Sequence, residues 1–142
     1  MKQILFMTLA VFLLAACGEQ NAKKEIETTG IETEMEASDD STVFVYYFHG
    51  KQRCKTCVAV GDITKRTIDE HYSDNGNVRF VEVETEEASN SSLVERYEVM
   101  WNALIIARAG DDVEITNEAF ANAANNPELL SELIIAEVDK RL

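Results

Sequence analysis

Two cysteines three positions apart, in Cys54-Lys55-Thr56-Cys57, are the residues of this chain whose type and spacing could do chemistry by themselves. The bare C-x-x-C spacing is a weak signal, and its placement adds more. It stands between an unbroken run of β-branched and aromatic residues and a stretch with helical spacing. At a helix N-terminus, unpaired backbone N–H groups and the helix dipole stabilise a thiolate on the first cysteine. The second, one turn in, points back within disulfide reach. Cys54 is then the attacking thiol and Cys57 the resolving one. Lys51, Arg53, Lys55, Lys65 and Arg66 surround the motif in sequence, with Asp62 the nearby carboxylate. Their positive charge would lower a thiol pKa further, although Lys65 and Arg66 also suit a solvated helix face. His49, between the apolar run and the dithiol, is placed to hydrogen-bond or protonate a thiol. His71 lies fourteen residues beyond Cys57, roughly 20 Å along a helix, and is excluded from the site. Trp101 reads either as an apolar substrate rim or, more commonly for an aromatic at a strand entry, as core.

The elements that must position these residues follow from periodicity and turn chemistry. Val43-Phe44-Val45-Tyr46-Tyr47-Phe48 predicts a central strand buried on both faces. Beyond Cys54, the spacing of Val60, Ile63, Thr67, Ile68 and Tyr72 predicts a helix that ends at the turn-forming Asp74-Asn75-Gly76-Asn77. Val78 to Glu84 reads as a second strand. A short helix follows from the capping-box pattern Ser92-Leu93-Val94-Glu95 through Tyr97. Strands at Ala103 to Arg108 and Val113 to Thr116 flank a hairpin turn, Ala109-Gly110-Asp111-Asp112. The last helix opens at Asn126-Pro127 and carries Leu130, Leu133, Ile134 and Val138 as its apolar stripe. The order strand, helix, strand, helix, strand, strand, helix calls for an α/β fold. Its sheet carries helices on both faces, the first two strands parallel through a right-handed crossover and the last two a hairpin.

The third cysteine belongs to a different segment. One charge, Lys2, precedes the apolar stretch Ile4 to Leu14, which is too short to span a bilayer comfortably and reads as an export signal. Leu14-Ala15-Ala16-Cys17 resembles the bacterial lipobox, in which the chain is cut before a cysteine that then receives a diacylglycerol. Residues 1–16 are then the signal peptide and Cys17 the lipid anchor. Gly18 after the cysteine, with no aspartate there, points by the same resemblance to an outer membrane, facing the periplasm. Residues 17–41 carry eight acidic residues and two lysines with no aromatic, and read as a self-repelling tether. Exported compartments let disulfides persist, so the remaining pair reads as redox-active.

Composition narrows the function. The 142 residues are 46% hydrophobic, which is enough for one ordinary domain and excludes a wholly disordered chain. Thirteen Lys and Arg against 26 Asp and Glu, a net charge of −13, argue against a nucleic-acid partner, whose phosphates demand basic residues. No phosphate-binding glycine loop, H-E-x-x-H or nucleophilic triad signature is present. No cofactor is expected.

From Thr42 to the C-terminus, the strand Tyr47-Phe48 leading through His49-Gly50 to the C-x-x-C and the β-α-β-α-β-β-α order resemble the thioredoxin superfamily. The Phe-His-Gly approach to a C-x-T-C motif and the closing segment from Asn117 to Pro127 resemble, more narrowly, small exported proteins of arsenic-related gene clusters described as a reductase subunit, the ArsF family. Thioredoxins place a cis-proline opposite the dithiol. Ala103 stands at that position here, and a trans bond is expected. They also bury an acid behind the second cysteine on the first strand, where this chain offers Tyr46 and Tyr47. The resemblance implies a membrane-anchored thiol–disulfide oxidoreductase whose partner is a protein carrying a disulfide or dithiol. Two alternatives stand beside it: chelation of a thiophilic ion such as arsenite or copper(I) by both thiolates, and a non-catalytic subunit that docks a partner reductase. A structural zinc site is poorly supplied, since Cys54, Cys57 and at most His49 converge where four ligands are needed.

Overall fold

The computed structural model describes residues 40–142. The export signal, the lipobox with Cys17 and nearly all of the acidic tether lie outside the described residues.

Strand β1, Val43–His49, is the continuous apolar run, and it lies inside a four-stranded sheet of order β2-β1-β3-β4. Strand β2, Val78–Glu84, runs parallel to it, with Tyr47 opposite Glu82. Strand β3, Ala103–Arg108, is antiparallel to β1 and forms a hairpin with β4, Asp111–Glu114. Alternation along β1 separates two cores, as strand geometry requires. Val43, Val45 and Tyr47 pack with Leu104, Ile106 and helices α1 (Lys55–His71), α3 (Thr116–Asn122) and α4 (Pro127–Asp139). Phe44, Tyr46 and Phe48 face the other way, onto Leu93, Val94 and Tyr97 of and beside the short helix α2, Ser91–Arg96. Helices therefore cover both faces of a mixed sheet, as the sequence order demands. All five residues of the expected α1 stripe are buried. In α4, Leu130, Ile134 and Val138 are buried and Leu133 partly so.

Three expectations are corrected. Ser92 does not cap α2: a 3-10 turn, Ala88–Asn90, precedes the helix, which starts one residue earlier. The amide of Asn90 instead donates to the Glu84 carbonyl at 2.9 Å, tying the helix entry to the end of β2. The hairpin turn is also tighter than expected. Only Ala109 and Gly110 turn, both at positive φ (50° and 89°), so Asp111 and Asp112 belong to β4. At its far end β4 stops early, because the Thr116 hydroxyl accepts the Leu104 N–H at 2.9 Å and takes the place of a ladder carbonyl. Thr116 then begins α3, a helix the periodicity did not signal. Within it only Ala119 is buried, with Phe120 half-buried, while Ile115 just before it and Ala123 just after it also enter the core.

A dithiol framed by Tyr47, Arg53 and Glu82

Cys54 is the N-cap of α1, with extended backbone (φ −73°, ψ 163°), and its sulfur accepts the Cys57 N–H at 3.0 Å. A sulfur thus fills the role that a serine or aspartate oxygen ordinarily plays at a helix start. The two sulfurs are at disulfide distance, with Cα atoms 5.0 Å apart. Cys54 is exposed and Cys57 is 6% exposed, so Cys54 is the more accessible of the two. No acidic residue stands in the first turn of α1, which leaves its partial positive charge to the sulfur.

Behind the dithiol, at the end of β1, Tyr47 is fully buried, and its hydroxyl donates to the Cys57 carbonyl at 2.7 Å. Burial pushes its pKa up against the pull of the Arg53 guanidinium, keeping the phenol protonated as a donor. Arg53 lies over the Tyr47 ring, 5.5 Å from its centroid. Its Nη2 reaches the Cys57 carbonyl at 3.4 Å, and its Nη1 donates to Glu82 Oε1 at 2.6 Å. The same carboxylate oxygen lies 3.3 Å from His49 Nε2, while His49 Nδ1 is 2.9 Å from the Gly50 carbonyl. Glu82 carries no functional signal in the sequence. It is missed because the carboxylate comes from β2, thirty-five positions after Tyr47, through the parallel register that sets the two opposite each other. No carboxylate stands on β1, as expected. Gly61, in the middle of α1, leaves the space: a Cβ there would sit 2.6 Å from Arg53 Nη2 and 3.0 Å from Tyr47 Cε1.

The remaining sequence candidates divide. Lys55 opens α1 and is exposed. The Lys51 backbone N–H is tied to Glu86 at 3.3 Å. Lys65 is paired with Asp69 on the helix surface, eight residues past Cys57, so it behaves as a solvated face and not as part of the site. Arg66 and Asp62 are likewise exposed on α1, and His71 is at its far end. Trp101 is 78% exposed and Met100 84%, which overturns the core assignment for Trp101. With Gly50 to Gln52, Thr85, Glu86 and Asn102 they line an open cleft of about 450 Å³ beside the loop that leads into the dithiol. Ala103 is buried at the start of β3, opposite Phe48, and no peptide bond among the described residues is cis. No group of three or more His, Cys, Asp or Glu side chains among the described residues is placed to hold a metal ion. No helix among them is long and apolar enough to cross a membrane.

Among solved structures, human ERp44 in its zinc-bound form superposes with a TM-score of 0.50 and 16% identity, covering 68% of this chain. The fold is thioredoxin-like. The thioredoxin-like chain spans about a quarter, 27%, of the length of ERp44. The structure of a malarial protein matches at 19% identity and a TM-score of 0.42 over 53% of this chain and 80% of its own. No family model and no curated protein sequence matches the chain.

Proposed function

We propose that this thioredoxin-like chain is a thiol–disulfide oxidoreductase. The observation that carries the reading is the asymmetry of the pair: an exposed Cys54, its sulfur capping a helix, at disulfide distance from a buried Cys57. In the reducing direction, the Cys54 thiolate attacks one sulfur of a partner disulfide. A Cys54–partner bond forms and the partner's other sulfur leaves as thiolate. Cys57 loses its proton and attacks the Cys54 sulfur, closing the intramolecular disulfide and releasing the second partner thiolate. Two electrons pass from the dithiol to the partner, and the same atoms serve the reverse reaction. The exposed Trp101 and Met100 beside the dithiol loop favour a protein partner, since a small disulfide has no need of an apolar shelf.

The finer parts of the reading rest on sequence. Leu14-Ala15-Ala16-Cys17 supports a lipid-anchored, exported protein, and its partner is a protein that carries a disulfide or dithiol. Equilibration in graded thiol/disulfide buffers, with free thiols trapped by alkylation and read by mass, tests the chemistry. A reversible two-thiol transition is expected, and Cys57→Ser should accumulate a Cys54 mixed disulfide. A pair that stays reduced throughout, or that gains the mass of a bound arsenite or copper(I), overturns the redox reading.

A further inference from the structure

The guanidinium of Arg53 is held in place against two costs. Its Nε is a buried N–H without a hydrogen-bond partner, an arrangement that ordinarily costs about 1–3 kcal/mol. The helix above it also carries Gly61 in its interior, about 1 kcal/mol worse than alanine there, and a Cβ at that position would lie 2.6 Å from Nη2 and 3.0 Å from the Tyr47 ring. Structures keep such costs where a group's position matters. Here that position sets a positive charge 3.4 Å from the Cys57 carbonyl, on the residue whose N–H the Cys54 sulfur accepts. The charge does not stand alone. Glu82 Oε1 meets it at 2.6 Å from β2, and the same oxygen faces His49. The other groups facing the guanidinium, the Tyr47 ring and the Cys57 carbonyl, carry no charge.

We infer that Arg53 and Glu82 form a paired charge that sets the reduction potential of the dithiol, with Glu82 a positioning residue that cancels most of the field Arg53 would exert on the Cys54 thiolate. This inference rests on the redox reading. The two members act in opposite directions. Glu82→Gln keeps an acceptor for Arg53 but removes the negative charge, so the exposed positive field stabilises the thiolate and the reduced form. Arg53→Met keeps an apolar stem over Tyr47 but leaves the carboxylate without its guanidinium, which disfavours the thiolate.

The test is the glutathione redox midpoint of the wild-type protein and both variants, measured at mildly alkaline pH where the thiolate is populated. Each substitution should change the equilibrium constant about three- to tenfold, the size of one charge whose field is largely screened by water. Tenfold corresponds to about 30 mV for this two-electron couple. Glu82→Gln should move the midpoint to a more oxidising potential and Arg53→Met to a more reducing one, and added salt should narrow the gap between them. A purely structural role would move both variants the same way. Shifts of one sign, or a midpoint unmoved by either substitution, overturn the inference and leave the redox reading standing. A wild-type protein with no reversible two-thiol transition overturns both.

Discussion

The Tyr47 hydroxyl donates to the carbonyl of Cys57 across 2.7 Å, joining the innermost strand to the first turn of the helix that carries the dithiol. The bond is buried. Tyr47→Phe keeps the ring under Arg53 and removes only the hydroxyl. A net loss of about 0.5–1.5 kcal/mol in unfolding free energy is expected, the usual worth of an intramolecular hydrogen bond. It should be read as a lowered urea midpoint with unchanged slope. An unchanged midpoint would mean that Arg53, at 3.4 Å from the same carbonyl, already satisfies it.

Gly61 and Arg53 should be energetically coupled. Alanine at a helix-interior glycine ordinarily stabilises by about 1 kcal/mol, yet here the added methyl meets Arg53 Nη2 at 2.6 Å and the Tyr47 ring at 3.0 Å. Gly61→Ala should therefore destabilise the wild-type protein and be better tolerated once Arg53→Ala has emptied the space. A double-mutant cycle should return about 0.5 kcal/mol or more of interaction, as for residues in direct contact. Strict additivity would place the clash on Tyr47 alone.

What the sequence revealed, and what it did not, follows the range of the interactions involved. β1 is legible because six consecutive β-branched or aromatic residues have one reading, and the dithiol because strand, loop and helix signals adjoin it. Glu82 is not legible: on β2 it looks like any charged residue of an alternating strand, and only the parallel register brings it to Arg53. The hydroxyl of Thr116, which ends β4, acts across the sheet on Leu104, and the seven residues of helix α3 bury only Ala119, too little to leave a periodic signal. Trp101 has two readings in the sequence for a related reason. An aromatic before a strand is ordinarily buried, but nothing among the described residues covers this one.

That exposure separates recognition from stability. Trp101 is 78% exposed, so Trp101→Ala should change the unfolding free energy by no more than about 0.5 kcal/mol. If the cleft it lines receives a protein partner, kcat/KM toward a protein disulfide should fall about tenfold, the equivalent of losing about 1.4 kcal/mol of contact. The rate with oxidised glutathione should stay the same, because a small disulfide needs only the Cys54 sulfur. Equal loss with both substrates would show that Trp101 acts on the dithiol and not on the partner.

The four tyrosines should set the alkaline limit of the fold. Burial raises the pKa of Tyr46 to about 12, helped by Tyr97 and opposed by Arg96. Burial also raises Tyr72, whose hydroxyl donates to Asp139 at 2.7 Å, as well as Tyr47 and Tyr97. In the unfolded chain these phenols ionise near 10. A group that binds its proton more tightly when folded contributes stability that is fully present below the unfolded pKa. As pH rises beyond about 10, the unfolded state releases protons that the folded state still holds, and that stability is lost, through about 12 for Tyr46. The urea midpoint should accordingly be flat from neutral pH to about 10 and then fall steeply. Tyr46→Phe keeps the stack with Phe44 and should make the fall shallower, since it removes one of the groups being titrated. An equally steep fall in that variant would assign the alkaline loss to the other three phenols, of which Tyr72, bound to a carboxylate between α1 and α4, is the next to substitute.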